Sequence, residues 1–261
     1  MKRLAVLFVL AAALLAPSAA FASGVVLKVQ RGTHLVAVTR TNTKVALVHT
    51  NAAARLKVGQ RVAMTARTLR NGTRAASAIR VGGRAHKVHF RGLLLKKNGT
   101  RLVLSAGGAI IVVKRGAART TASAADDDPD VGEMVDVVAK VDNDEELDED
   151  DLNPVDAAHP GGAIEGKLTL GTGKITVVSE HMALVLNVPA GFDLSKFANG
   201  DEVLAQFTQG ADGTLTLTTL SGDENAREAD EDNDNNDNDD DDDGHDGGGD
   251  HGGGGGGHGP G

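Results

Sequence analysis

The 261-residue chain contains no cysteine, no tryptophan and no tyrosine, and its first 125 residues contain no aspartate or glutamate. Without cysteine there is no disulfide, no thiolate nucleophile and no thiolate-ligated metal, so stability has to come from packing. Without a carboxylate before Asp126, nearly half of the chain cannot supply the acids of general acid–base chemistry. Aromatic platforms for stacking nucleic-acid bases are also scarce: the six phenylalanines are the only aromatics, and Phe90 alone falls between residue 23 and residue 125. No apolar run reaches the roughly 20 residues that a membrane-spanning helix needs.

The apolar run that does occur lies at the start. Met1-Lys2-Arg3 precedes an apolar stretch over residues 4–16, and Ala20-Phe21-Ala22 precedes Ser23. A basic start, a short apolar core and small residues at a cleavage point describe a secretory signal peptide, residues 1–22, and predict an exported, extracytoplasmic protein.

The charges are segregated. Of 27 lysines and arginines, 22 occur in the first 125 residues, whereas all 36 acidic residues follow. From Ser23 to Ala125 the formal charge is +20, and from Asp126 to Gly261 it is −31. Two strong opposing fields predict salt-dependent behaviour and polyelectrolyte partners, and predict that the basic segment docks against the acidic one.

Between the leader and the tail, one small pattern occurs three times. Lys57-Val58-Gly59-Gln60-Arg61-Val62, Asp130-Val131-Gly132-Glu133-Met134-Val135 and Ala198-Asn199-Gly200-Asp201-Glu202-Val203 each place a glycine and polar residues before an apolar strand. Short runs rich in Val, Ile, Leu and Thr flank each step, at strand length and with glycine-containing turns. Arg70-Asn71-Gly72-Thr73 and Lys97-Asn98-Gly99-Thr100 predict hairpins with type I′ turns, and Gly210-Ala211-Asp212-Gly213 predicts a third hairpin. A helical or irregular crossover precedes the fourth strand, with one helical turn expected over residues 193–198, capped by Asp193.

Five strands with a connection between the third and fourth is the plan of an OB-type barrel. The expected fold is all-β: three tandem small five-stranded OB-like barrels, the second irregular. The units run 23–83, 84–160 and 161–222, followed by a disordered tail, 223–261. The second unit carries a long loop before its Gly-Glu-Met-Val step. In place of its closing hairpin stands an acidic insertion, residues 142–153, read as a solvated loop. On Ala163-Ile164-Glu165-Gly166, Asn199-Gly200-Asp201-Glu202-Val203 and Asp212-Gly213-Thr214-Leu215 the chain resembles a family of small exported bacterial all-β repeat domains of unknown function. That resemblance implies the fold and carries no activity.

Candidate binding residues follow from charge. Lys57, Arg61, Arg67, Arg70, Arg74, Arg91, Lys96, Lys97 and Arg101 in the basic units are the candidates for polyanions or envelope polymers. A dedicated nucleic-acid ligand is not expected, because the stacking platforms are missing. In the tail, Asp239, Asp241, Asp243, His245, Asp250, His251 and His258 offer carboxylate and imidazole donors for weakly bound calcium or transition-metal ions. The tail itself is a further partner for the basic units. No nucleophile–base–acid arrangement or phosphate-cradling loop is present, so the chain is read as noncatalytic, with no cofactor. The expected function is an exported binding protein whose basic units take polyanions while its acidic tail holds divalent cations or competes for the same surface. The alternative is a structural or matrix component that self-assembles through its oppositely charged halves.

Overall fold

The computed structural model describes residues 20–222 apart from 41–42, 116–127, 158–159 and 181. Three closed five-stranded barrels follow one another. The first is built from β1 (Ala20–Gln30), β2 (Leu35–Thr39), β3 (Val45–His49), β4 (Gln60–Thr68) and β5 (Arg74–Arg84). The second comprises β6 (Lys87–Lys97), β7 (Arg101–Ala106), β8 (Ala109–Lys114), β9 (Met134–Val141) and β10 (Leu147–Val155). The third comprises β11 (Gly161–Gly171), β12 (Lys174–Val178), β13 (Ala183–Asn187), β14 (Glu202–Gln209) and β15 (Leu215–Gly222).

Each barrel has the same strand order, 1-2-3-5-4 closing back on its first strand. In each, a short parallel pairing joins the third strand to the fifth, at Val48↔Arg74 and His49↔Ala75, at Lys114↔Asp148 and at Asn187↔Thr216. This is the OB-type arrangement, present three times. β1 starts at Ala20, so three residues of the expected leader pair with β4. The same ladder continues through Ser23, Gly24 and Val25, opposite Ala63, Val62 and Arg61.

The internal repeat extends to single hydrogen bonds. At the glycine step, the N–H groups of Gly59, Gly132 and Gly200 donate to the carbonyls of Val26, Leu94 and Leu168 at 2.8, 2.7 and 2.8 Å. All three glycines have positive φ, 83°, 100° and 96°, a conformation that a side chain resists. The next residue caps the turn backwards: Gln60, Glu133 and Asp201 accept from the N–H of Lys57, Asp130 and Ala198. A second glycine set marks where the first strand of each barrel bends. Gly24, Gly92 and Gly166 lie opposite Val62, Val135 and Val203. A Cβ there would stand 1.8, 2.9 and 2.2 Å from the carbonyl oxygens of Thr39, Ser105 and Val178. Only glycine lets two strands approach this closely at a barrel corner.

Alternation on the fourth strands fills each interior. Val62, Met64 and Ala66, then Val135, Val137 and Ala139, then Val203, Ala205 and Phe207 are all buried. β2 departs from alternation, since all five of its residues are buried. Val36 and Val38 fill the first barrel, while Leu35 and Ala37 join Leu27 and Leu47 in a cluster with Phe90, Leu104, Ile111 and Leu204 of the other two barrels. β8 is likewise covered on both faces, with Ile110 packed into the cluster of the third barrel. The β7–β8 turn is the wedge at this junction. A Cβ on Gly108 would lie 2.5 Å from Leu47 and 2.9 Å from Leu204, and the Gly108 carbonyl accepts from the N–H of Glu165 at 3.0 Å.

Three local expectations need correction. Neither Asn71 nor Asn98 has positive φ, so these hairpins are not type I′ turns. Each asparagine carboxamide oxygen instead accepts from the threonine N–H two residues on, at 3.0 Å, with Gly72 alone taking positive φ after Asn71. Gly210–Thr214 repeats the Leu69–Thr73 turn, with Asp212 in place of Asn71. Residues 193–198 form turns rather than a helix, although the Asp193 carboxylate accepts from the Ser195 N–H at 2.9 Å. Hydrogen bonds from Ser195 hold that carboxyl below its ordinary pKa.

The third correction concerns the acidic stretch. It is no insertion: residues 142–146 form the closing turn of the second barrel and β10 is its fifth strand, paired with β9 and β8. Asp142 accepts from the N–H groups of Asp144 and Glu146, and Glu145 takes φ 66°, the position that Gly72 and Gly213 hold in the sister turns. The second barrel therefore closes like the other two. No helix among the described residues is long and apolar enough to cross a membrane.

Candidate polyanion-binding surface

β4 and β5 form the longest hairpin of the first barrel and carry Arg61, Arg67 and Arg80 on the outside. Because Val62, Met64 and Ala66 point inward, Arg61, Ala63, Thr65 and Arg67 point outward along β4. Arg80 lies directly across from Ala63, and Arg84 across from Gln60. Between the arginines β5 offers mostly small groups, Ala75, Ala76, Ser77, Ala78, Gly82 and Gly83, with Val81 half exposed among them, so the face is a ribbon about 35 Å long with few bulky side chains. Arg61, Arg67, Arg70, Arg80 and Arg84 are exposed. At one edge Arg74 approaches Arg40, and its pKa is lowered by burial first and by the repulsion of Arg40 second. No carboxylate exists in the first barrel to relieve that repulsion. Among the described residues none lies within ion-pair distance of Arg40, Arg61, Arg74 or Arg80.

The second barrel is different, because the charge reversal falls inside it. Its first three strands carry only basic charges, β9 carries one of each sign, Asp136 and Lys140, and β10 is acidic. Arg91 on β6 sits opposite Asp136 on β9 and holds it with two bonds, Nε at 2.9 Å and a terminal nitrogen at 3.0 Å. The Arg91 hydrogen bond is the main cause that pulls the Asp136 pKa down, and His89 Nε2 stands 4.0 Å away. Asp150 of β10 is clasped by Lys87 at 2.6 Å and Lys140 at 2.5 Å, Lys140 being the larger influence holding its pKa down. Lys114 pairs with Glu146, and Arg115 reaches Asp128 at 3.0 Å and the buried Glu149 at 3.7 Å.

The nine cationic candidates are thus divided. Lys57 pairs with Glu145 at 2.9 Å across the seam between the first and second barrels. Lys97 pairs with Asp130 at 3.2 Å and Asp128 at 3.6 Å, and Arg91 is neutralised by Asp136. Arg61 and Arg67 lie on the outer face of the ribbon and Arg70 at its tip, whereas Arg74, opposite Thr68, turns to the barrel end beside Arg40, Val48 and Met64. Lys96 and Arg101 are exposed on the second barrel. Sequence reading passed over Arg40 and Arg80. Nothing local placed Arg40 beside Arg74, and period two alone would put Arg80 on the face of Arg74; the bulge opposite Thr65 and Ala66 turns Arg80 outward instead.

A cleft of about 630 Å³ opens where the three barrels meet, with Lys28, Arg31, Arg101, Lys114 and Glu180 among its walls. Lys28 is buried on β1, 3.4 Å from Glu180. Burial lowers its pKa, and Glu180 acts in the opposite direction. Since Lys28 and Lys114 already have carboxylate partners, this cleft offers fewer uncompensated charges than the ribbon. The metal-ligand candidates, Asp239, Asp241, Asp243, His245, Asp250, His251 and His258, lie outside the described residues.

No protein-family model matches the chain, and no curated protein matches it. Several solved structures are similar to it, two of which are these. One, titled "drosophila Unr CSD456", has 11% sequence identity over 78% of this chain and 97% of that chain, with a TM-score of 0.22. The other, a multidomain protein with nucleic acid binding domains from Streptococcus pneumoniae, has 12% identity over 77% of this chain and 73% of that chain, also with a TM-score of 0.22.

Proposed function

We propose that this is an exported, noncatalytic binding protein of the bacterial cell exterior that takes polyanions on the arginine ribbon of its first barrel. One observation carries the reading. The β4–β5 face holds several exposed guanidinium groups in a barrel with no carboxylate, whereas the cations of the second barrel are largely paired within the fold. Arginine recognises phosphate, sulfate and carboxylate groups through a planar fork of donors. A ribbon without aromatic side chains selects charge spacing and not base identity.

Binding should therefore fall within the range of nonspecific phosphate contacts, about 10⁻⁴ to 10⁻⁶ M near physiological salt, and weaken linearly in log–log fashion with added salt. The test is titration of the full chain with polyphosphate and with single-stranded homopolymer RNA of equal charge. Equal affinities support charge recognition, and R61Q/R80Q should reduce the salt slope by about 1.4 to 1.8. R91Q, at a side chain neutralised by Asp136, serves as the control. An R91Q effect as large as that of the ribbon pair would overturn the reading.

The alternative, assembly through oppositely charged halves, draws less support. The complementary charges meet inside the second barrel and across the seams of one chain, at Lys57–Glu145 and Lys28–Glu180. For the tail we propose divalent-cation holding by its Asp and His side chains. A calorimetric titration of the full chain against a D239N/D241N/D243N variant with calcium, zinc or nickel tests this, and identical heats would dismiss it.

A further inference from the structure

We infer that the acidic segment 223–250 of this same chain is the resident occupant of the arginine ribbon, lying along β4 and β5 as a competitor of external polyanions. The inference rests on reading the ribbon as a polyanion surface and names what regulates it.

The root of that segment is placed by the fold. β15 ends at Gly222, whose carbonyl accepts a hydrogen bond from the carboxamide of Asn71 at 3.4 Å. Asn71 is the tip of the β4–β5 hairpin and is buried, and its carboxamide nitrogen reaches the last residue of the third barrel. The residue following Gly222 is Asp223, and the residue preceding Asn71 is Arg70. The most acidic part of the protein therefore begins at the tip of the hairpin whose outer face is the most basic.

Length and charge fit as well. Residues 223–261 hold 15 acidic side chains and one arginine, and the acidic positions all fall between 223 and 250. The 28 residues of the segment 223–250 have an unperturbed root-mean-square span of about 30 Å, within the length of the ribbon. Tethering gives an effective concentration in the millimolar range. Set against intrinsic contacts of about 10⁻⁴ to 10⁻⁶ M, the tethered segment occupies the ribbon at least about ten times more often than it leaves it at low salt.

The absence of cysteine makes the test direct, since N238C creates a unique thiol for a nitroxide spin label. In the full chain at low salt, the amide signals of residues 61–67 and 78–80 should broaden while those of β11 and β12 do not. The broadening should disappear in 0.5 M salt and when Asp239, Asp240, Asp241, Asp242 and Asp243 are all changed to Asn. The same five changes should raise polyphosphate affinity about tenfold or more. Absent or evenly spread broadening, or broadening unchanged by the Asn substitutions, would overturn the inference. So would equal broadening of an unlabelled ¹⁵N chain mixed with a spin-labelled ¹⁴N chain, since that is contact between copies. Ribbon broadening in a protein that polyphosphate neither binds nor displaces would keep the tail contact and discard the polyanion reading.

Discussion

At the scale of single residues, the three repeats act as controls for one another. Glu145 holds a left-handed conformation that the sister turns give to Gly72 and Gly213. A non-glycine residue there costs about 1 kcal/mol, while its exposed pair with Lys57 returns about 0 to 1 kcal/mol. Glu145→Gly should therefore leave stability unchanged or raise it by up to about 1 kcal/mol in urea denaturation, and a loss beyond that would show that Lys57 depends on it. Asp136 sets the behaviour in acid. Its folded pKa is depressed, chiefly by the Arg91 hydrogen bond, so its contribution is complete above the ordinary carboxylate pKa of about 4 and fades as pH falls through the lower folded value. Asp136→Asn should be less stable than the parent at pH 7, and the gap should close below about pH 4. A constant gap down to pH 2 would remove the ion pair as its cause.

At the scale of elements, legibility followed how local each cause was. The fourth strands could be read because their alternation and glycine steps lie within ten residues, as at Gly59 and Val62 to Ala66. β2 and β8 looked like ordinary apolar strands, and their continuous burial has a cause outside the local sequence, namely neighbouring barrels on their outer faces. β10 was not legible, since Asp and Glu are poor strand formers and Leu147-Asp148-Glu149-Asp150-Asp151-Leu152 gives no alternating signal. Partners distant in sequence turn it into a strand: Lys87 and Lys140 around Asp150, and Arg115 beside Glu149, whose side chain is 2% exposed. The ribbon was half legible, because the arginines could be counted but their shared face depends on the β4–β5 register. Arg115→Met tests the account of β10. It should lower stability by about 3 kcal/mol by leaving the Glu149 carboxylate buried without its guanidinium, and a change under 0.5 kcal/mol would mean that the other contacts of Glu149 suffice.

At the scale of the whole molecule, apolar packing and not charge joins the barrels. Each barrel is small enough to be marginal alone, and Leu27, Leu35 and Leu47 of the first would face water without the second. Each such leucine is worth about 1.5 to 3 kcal/mol when buried. The ion pairs that cross between barrels, Lys57–Glu145 and Lys28–Glu180, are at least partly exposed, and salt screens such pairs. Thermal unfolding should therefore be a single cooperative transition, with a midpoint that moves by only a few degrees between about 10 and 150 mM salt. The wedge at Gly108 locates the coupling, because the three barrels converge where a side chain on it would meet Leu47 and Leu204. In Gly108→Val the added side chain collides with both leucines and forces a residue with φ 97° into a conformation suited to glycine. Calorimetry of that variant should resolve more than one transition, with the van't Hoff enthalpy falling below the calorimetric one. A lower midpoint with a single, fully cooperative transition would show that Gly108 matters only to its own turn and that β2 and β8 carry the coupling.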